Sequence, residues 1–355
     1  MQSDKGIVVA TVVTRSHLGD ARTLSRMLRR WHPQARMVVL VVDGTERTDP
    51  EDFEVVLLGD LTIPDCASFC FQYTAFELCN ALKAHLLAWL LGQANVPAVL
   101  YLDSDIGVMG DLSALWEEVL SSDVLITPHQ TRDFPADGCQ PDSLMVRSVG
   151  VFNAGVVGVR QSSGGLDFVE WWKRRKQHDC INDPATGLFV DQRHLDFVPA
   201  FFPGARICRD PGVNVGHFNL HERTLRREGD RWWINGQPLL LFHFTSIDYV
   251  DRGFLPPIDR PLVQQQPLLQ SLIAEYASER QAVNADASRA IGYGLARFAS
   301  GRLISPPTRR AFRAAWIAGT GSVDPYSDPV WEKFELGNGI RRVRAAVRRR
   351  VTGLF

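Results

Sequence analysis

The stretch VLYLDSDIGVMGDLSALW, Val99–Trp116, runs four apolar residues straight into two aspartates separated by one serine. Ala98–Leu102 is a short apolar run, the signature of a buried strand. Carboxylates placed so close repel each other, and their burial costs hydration, so they stay together where a cation holds them. Asp-x-Asp alone is common and also reads as a solvated loop. The apolar run before it decides otherwise, because a buried strand delivers Asp103, Ser104 and Asp105 to one fixed place. In open α/β sheets that place, the carboxyl end of a strand, is where ligands bind.

Working outward, strand and helix signals alternate around this segment. Ile7–Thr14, Met37–Val42 and Val55–Leu58 read as strands. Leu24, Met27, Leu28 and Trp31 recur at helical spacing and stop near Pro33. Thr74-Ala-Phe-Glu77 has capping-box spacing and opens a helix that carries Lys83 and ends about Gly92. Val149–Val159 reads as a strand interrupted at Asn153-Ala-Gly155, and Leu166–Gln177 as a helix. Asn235-Gly236 between apolar runs predicts a hairpin, with His243 near the end of its second strand. After Asp251 the composition turns Pro- and Arg-rich. The pattern predicts a mixed α/β unit over residues 1–255 and a helical extension over 256–355.

The bulk numbers narrow the classes. The chain has 355 residues, 45% hydrophobic and 22% charged, enough for a large core. A net charge of −1 gives no general field for nucleic acid. Six cysteines without a CxxC pair point to neither a zinc site nor a disulfide framework, and with no signal-like or spanning segment the expected location is the cytoplasm. Two hard oxygen ligands suit Mg²⁺ or Mn²⁺ bridging to phosphates, and Mn²⁺ also accepts imidazole. A lone strand histidine such as His243 is more often a packed core residue than a ligand.

Asp103-x-Asp105 after a strand, Phe152-Asn-Ala-Gly155, Asp191-Gln192 and His243, in that order, resemble the retaining glycosyltransferases of family 8. Glu77-Leu-Cys-Asn-Ala-Leu-Lys83 and Arg209-Asp-Pro-Gly-Val-Asn214 are similar to a bacterial branch found in polysaccharide synthesis. The resemblance covers roughly residues 6–250 and implies the nucleotide-sugar-binding GT-A fold. It implies that Asp103, Asp105 and His243 hold Mn²⁺ or Mg²⁺ on the donor diphosphate. It places the donor, a UDP-sugar, among Thr11, Arg15, Lys83, Ser104 and Asn214. Asn153, Asp191 and Gln192 would line the sugar at its anomeric carbon, with a glycan or lipid-linked acceptor opposite. Plainer readings exist: Asn153–Gly155 as a bulge, Asp191 as a helix cap. The sequence also departs from the family pattern. Ser246 and Tyr249 stand where the motif after the histidine has glycine and a diphosphate-contacting lysine, so either another cation replaces the lysine, with Lys83 or Arg15 the candidates, or the donor sits differently.

Two other classes compete with glycosyl transfer. Nucleotidyl transfer also uses paired aspartates, but Val13-Thr-Arg-Ser-His-Leu-Gly19 is a poor glycine-rich loop. A non-catalytic glycan-binding protein on the same fold would dispense with the acidic pair. In the tail, Ile340, Val343, Val347, Val351 and Leu354 follow helical spacing among six arginines. Such a helix can lie on an anionic membrane, and it reads equally as a packed terminal helix with a solvated basic face.

Overall fold

The computed structural model describes residues 6–47, 51–136, 143–248, 253–254 and 267–337. Its centre is a seven-stranded sheet built from β1 (Val8–Val13), β2 (Arg36–Val41), β3 (Glu54–Leu57), β4 (Ala98–Leu102), β6 (Val124–Pro128), β7 (Phe152–Arg160) and β8 (Ala205–Ile207). The order across the sheet is β8-β6-β7-β4-β1-β2-β3. All neighbours run parallel except β7, which is antiparallel to both β4 and β6. The expected mixed α/β sheet is present, followed by C-terminal helices.

The sheet is buried on both faces, so its strands are apolar throughout rather than alternating with polar residues. In β1, Val9 and Val13 face α1 (Leu18–Trp31) and meet Leu24, Met27 and Leu28. Val8, Ala10 and Val12 face the other way, toward α3 (Ala75–Leu91). α3 is apolar nearly all round because it lies between the sheet and α6 (Ser163–Arg175). Its start is as the sequence predicts: Thr74 Oγ1 accepts from the Glu77 N–H, and Glu77 Oε2 accepts from the Thr74 N–H.

Directly after Asp103–Asp105 the chain forms β5 (Ile106–Val108), which leaves the main sheet and pairs antiparallel with β9 (Leu241–His243). The expected hairpin is shorter than its apolar pattern. Arg231–Ile234 turns through Asn235 and Gly236, both at positive φ, and only Gln237–Pro238 pairs back. Leu241–His243 instead crosses to β5, setting His243 opposite Ile106.

The sequence boundary near residue 255 falls outside the described residues, as does the basic helix expected over 340–355. Beyond that gap, α8 (Pro267–Ala282) inserts Leu269, Leu272, Ile273 and Tyr276 into the core that β1 and α1 share. α9 (Pro306–Ile317) packs Phe312 on Phe71, and Arg309 donates to the carbonyls of Phe71 and Leu295 at 2.8 and 2.7 Å. Among the described residues, no helix is long and apolar enough to cross a membrane.

Candidate functional site

At the carboxyl ends of β1 and β4 lies a cleft of about 800 Å³. Asp103, Asp105 and His243 form its acidic floor, each offering a ligand atom, all within 4.8 Å of one another. His243 Nε2 stands 3.2 Å from Asp105 Oδ1 and 3.9 Å from Asp103 Oδ2. The backbone fixes this geometry: Phe244 N–H donates to the Asp105 carbonyl at 2.9 Å, and Asp103 N–H to the Gly155 carbonyl at 2.8 Å.

The imidazole is oriented from behind. Asn214 Nδ2 donates to Thr127 Oγ1 at 2.8 Å and to Asn153 Oδ1 at 3.1 Å. Both amide hydrogens are thereby used, and Asn214 Oδ1 faces His243 Nδ1 at 3.2 Å. With Nδ1–H held by Asn214, the ring that has lost its second proton turns its Nε2 lone pair toward the two carboxylates, the arrangement that metal-ligating histidines adopt. Asn214 itself takes φ 53, a left-handed conformation asparagine tolerates. Gly155 is required here by space: a Cβ would lie 2.5 Å from His243 Cε1 and 2.7 Å from Asn153 Oδ1.

On the opposite wall, Lys83 rises from α3 between two acids, with Nζ 2.9 Å from Asp103 Oδ1 and 3.2 Å from Asp191 Oδ2. It also donates to the Ala154 carbonyl at 3.2 Å. Tyr101 OH donates to Asp103 Oδ1 at 2.9 Å, so that oxygen is anchored and Oδ2 is left toward His243. Asp191 follows Val190, a β-branched residue held at φ 39, a conformation that persists only where the surroundings enforce it. Although Asp191 precedes a 3₁₀ turn, its side chain makes no cap hydrogen bond. Gln192 is fixed at both ends of its amide: Oε1 accepts from Ala154 N–H at 3.2 Å, and Nε2 donates to the Val149 carbonyl at 2.9 Å.

The charges are strongly coupled. Burial works against the Lys83 ammonium, but Asp103 and Asp191 outweigh it and hold Lys83 above its ordinary value. Burial pushes Asp191 up, against the pull of Lys83 and Lys176. For Asp105, burial is outweighed by His243, which holds the carboxyl low; reciprocally, Asp105 overrides the burial of His243 and raises it. Three carboxylates, Asp103, Asp105 and Asp191, lie within ion-pair reach of Lys83 or His243. Two carboxylates and an imidazole converging on one point supply oxygen and nitrogen donors of the kind Mn²⁺ or Mg²⁺ accepts.

No family model matches the sequence. Over 201 residues, 56% of this chain, it is 28% identical to the uncharacterized protein YfnF of Bacillus subtilis (strain 168), and the match spans 66% of that protein, just under two thirds. Among solved structures, the galactosyltransferase LgtC in complex with donor and acceptor sugar analogs aligns at 13% identity and TM-score 0.44, over 77% of this chain and 95% of that one. The apo form of the glycosyltransferase GlyE of Streptococcus pneumoniae TIGR4 aligns at 13% identity and TM-score 0.43, over 80% and 64%. A glycosyltransferase involved in glycosylation of the PBCV-1 major capsid aligns at 12% and 0.40, over 78% and 99%.

Of the residues singled out in the sequence, Lys83, Asp103, Ser104, Asp105, Asn153, Asp191, Gln192 and His243 all line the cleft. Asn214 lies just behind it, fully buried. Two are placed elsewhere. Thr11 is fully buried mid-strand, on the α1 side of β1, while Val12, Val13 and Thr14 reach the cleft. Arg15 points away and pairs with Asp43, its backbone N–H on Oδ1 at 2.7 Å and its Nε 3.7 Å from Oδ2. In the loop after Asn214, Asn219 supports the backbone, its Nδ2 donating to the Asn214 carbonyl at 3.1 Å, while His217 reaches the cleft. Thr127, His17, Asp20 and Arg289 were missed, having no local motif to announce them, and Tyr101 was missed although it stands within the strand that leads to Asp103.

Proposed function

We propose that this chain is a metal-dependent retaining glycosyltransferase, moving a sugar from a nucleotide-diphosphate donor to a glycan or lipid-linked acceptor. One observation carries the reading: the four sequence elements that resemble family 8, spread from Asp103 to His243, meet around a single cleft. Asp103, Asp105 and His243 would hold the divalent ion, which when bound stabilises charge on the departing diphosphate.

The chain's own residues do the rest. Lys83 keeps the Asp103 and Asp191 carboxylates in place against their mutual repulsion, and Tyr101 fixes the face that Asp103 presents. Asp191 and Gln192 face the position of the anomeric carbon, where a cation-like sugar is stabilised by a nearby carboxylate. Gln192 is a poor nucleophile, and Asp191 is 1% exposed and ion-paired. Attack by the acceptor on the leaving group's own face therefore accounts for retention better than a covalent intermediate. A peripheral membrane contact through 340–355 would suit a lipid-linked acceptor.

The test is a panel of nucleotide sugars, UDP-sugars first, scored for Mn²⁺- or Mg²⁺-dependent release of nucleoside diphosphate, with product configuration read by NMR. Retained configuration supports the reading. Inverted product overturns the mechanism, and release of pyrophosphate would indicate nucleotidyl transfer.

A further inference from the structure

The sequence left open which cation takes the place of the missing lysine after His243. Lys83 has no capacity for it. Its ammonium donates to the Ala154 carbonyl at 3.2 Å and is ion-paired on two sides, 2.9 Å from Asp103 Oδ1 and 3.2 Å from Asp191 Oδ2. Its side chain is 3% exposed. Arg15 is turned to Asp43 and is not part of the cleft wall. Among the described residues that line the cleft, the remaining Lys or Arg is Arg289, from the 3₁₀ turn Ala285–Ala290.

Arg289 is well placed for an anion. Its side chain is 39% exposed, and Nη2 donates to Asp20 Oδ2 at 2.8 Å, one of five available donors. Asp20 is buried and also receives the buried Arg280 on Oδ1. Arg280 also pairs with Asp286 at 2.6 Å, so two guanidiniums face two carboxylates, and Arg289 is anchored through Asp20 Oδ2. The turn is docked firmly on the start of α1. Ser288 Oγ accepts from Gly19 N–H at 3.2 Å and donates to the Ser16 carbonyl at 3.1 Å. Any Cβ at Gly19 would collide with the Ala285 backbone. His17 and Arg289 line the same cleft whose floor is Asp103, Asp105 and His243.

We infer that Arg289, delivered by the C-terminal segment, is the residue that grips the donor's diphosphate. The inference rests on the glycosyl-transfer reading and adds to it the residue that replaces the absent lysine. Guanidinium suits the task, since its planar fork matches phosphate oxygens bidentately.

Calorimetry with Mn²⁺ and UDP, ADP or GDP, beside the matching nucleoside monophosphates, tests it on the full chain. Arg289→Ala should weaken diphosphate binding by about 10-fold or more, the scale of a charged hydrogen bond. It should flatten the salt dependence, change monophosphate binding far less, and leave Tm within a few degrees. Arg289→Lys should recover part of the loss. Equal diphosphate affinity in wild type and Arg289→Ala overturns the inference while leaving the functional reading intact. Wild-type protein that binds none of the three diphosphates overturns both.

Discussion

Asp105 and His243 hold each other in opposite charge states while the ion is absent, which makes the metal-free protein's stability depend on pH. His243 is raised above its ordinary 6.5, so its contribution is complete below that value and is lost as pH rises through the folded pKa. Asp105 is lowered from its ordinary 3.8, so its contribution is present above that value and is lost as pH falls through the lower one. The pair therefore stabilises most between those two ordinary values and less above neutrality. Melting in EDTA should show a descending limb above pH 7 that His243→Gln flattens. Added Mn²⁺ should reverse the trend, because the imidazole must lose its proton to ligate, and affinity climbs with pH. Equal slopes with and without metal would exclude His243 as a ligand. Asp105→Ala should cut turnover by about 10³-fold, the scale of removing a group that stabilises transition-state charge. Tm in EDTA should stay within a few degrees, since the substitution also removes a repelling carboxylate. Turnover within a few-fold of wild type at saturating metal would end the assignment.

At the scale of elements, the site is made where β7 bulges beside β9. Pairing of β6 with β7 jumps from Ile126↔Val157 to Thr127↔Asn153, and the slack chain between carries Gly155 under the His243 ring. The register break bears out the plain reading of Asn153–Gly155 as a bulge, and the same bulge brings Gly155 against the His243 ring. Gly155→Ala should displace the ring and cost about 10- to 100-fold in Mn²⁺ affinity, as should Asn214→Leu, which removes the acceptor for Nδ1–H. Titration of Mn²⁺ by calorimetry checks both, and unchanged affinity in either would show that His243 is not positioned this way. This layer also marks what a linear reading reaches. β1 to β4, the capped α3 and the acidic pair were legible because their signals are local: apolar runs, a capping box, two acids at a strand end. The crossing of Leu241–His243 to β5 was not, since an apolar run after Asn235-Gly236 looks the same whichever strand it joins. Thr11 was misplaced for a related reason. A period of two fixes which residues share a face of β1, but only the packed sheet says which end and side open to the cleft.

The whole molecule is tied together through the residue after the metal-ligand candidate. Phe244 stacks on Tyr276 of α8, ring centroids 3.8 Å apart and planes 5° from parallel. Arg280 and Arg289 meet Asp20 on α1, and Arg310 of α9 pairs with Glu77 of the α3 capping box. The C-terminal helices therefore brace the same elements that carry Asp105, His243 and Lys83, although the sequence pattern set them apart as an extension. Two independent units would melt separately and leave the cleft indifferent to changes in α8. A shared core predicts one cooperative transition. Tyr276→Ala should lower stability by about 3–5 kcal/mol, the usual cost of emptying a buried aromatic position. It should also weaken Mn²⁺ binding, because Phe244 loses the ring that fixes the strand end beside His243. Urea unfolding followed by circular dichroism, with Mn²⁺ titration on the folded variant, measures both. Two separate transitions, or a destabilised variant whose Mn²⁺ affinity is unchanged, would show that α8 is a passive appendage to the cleft.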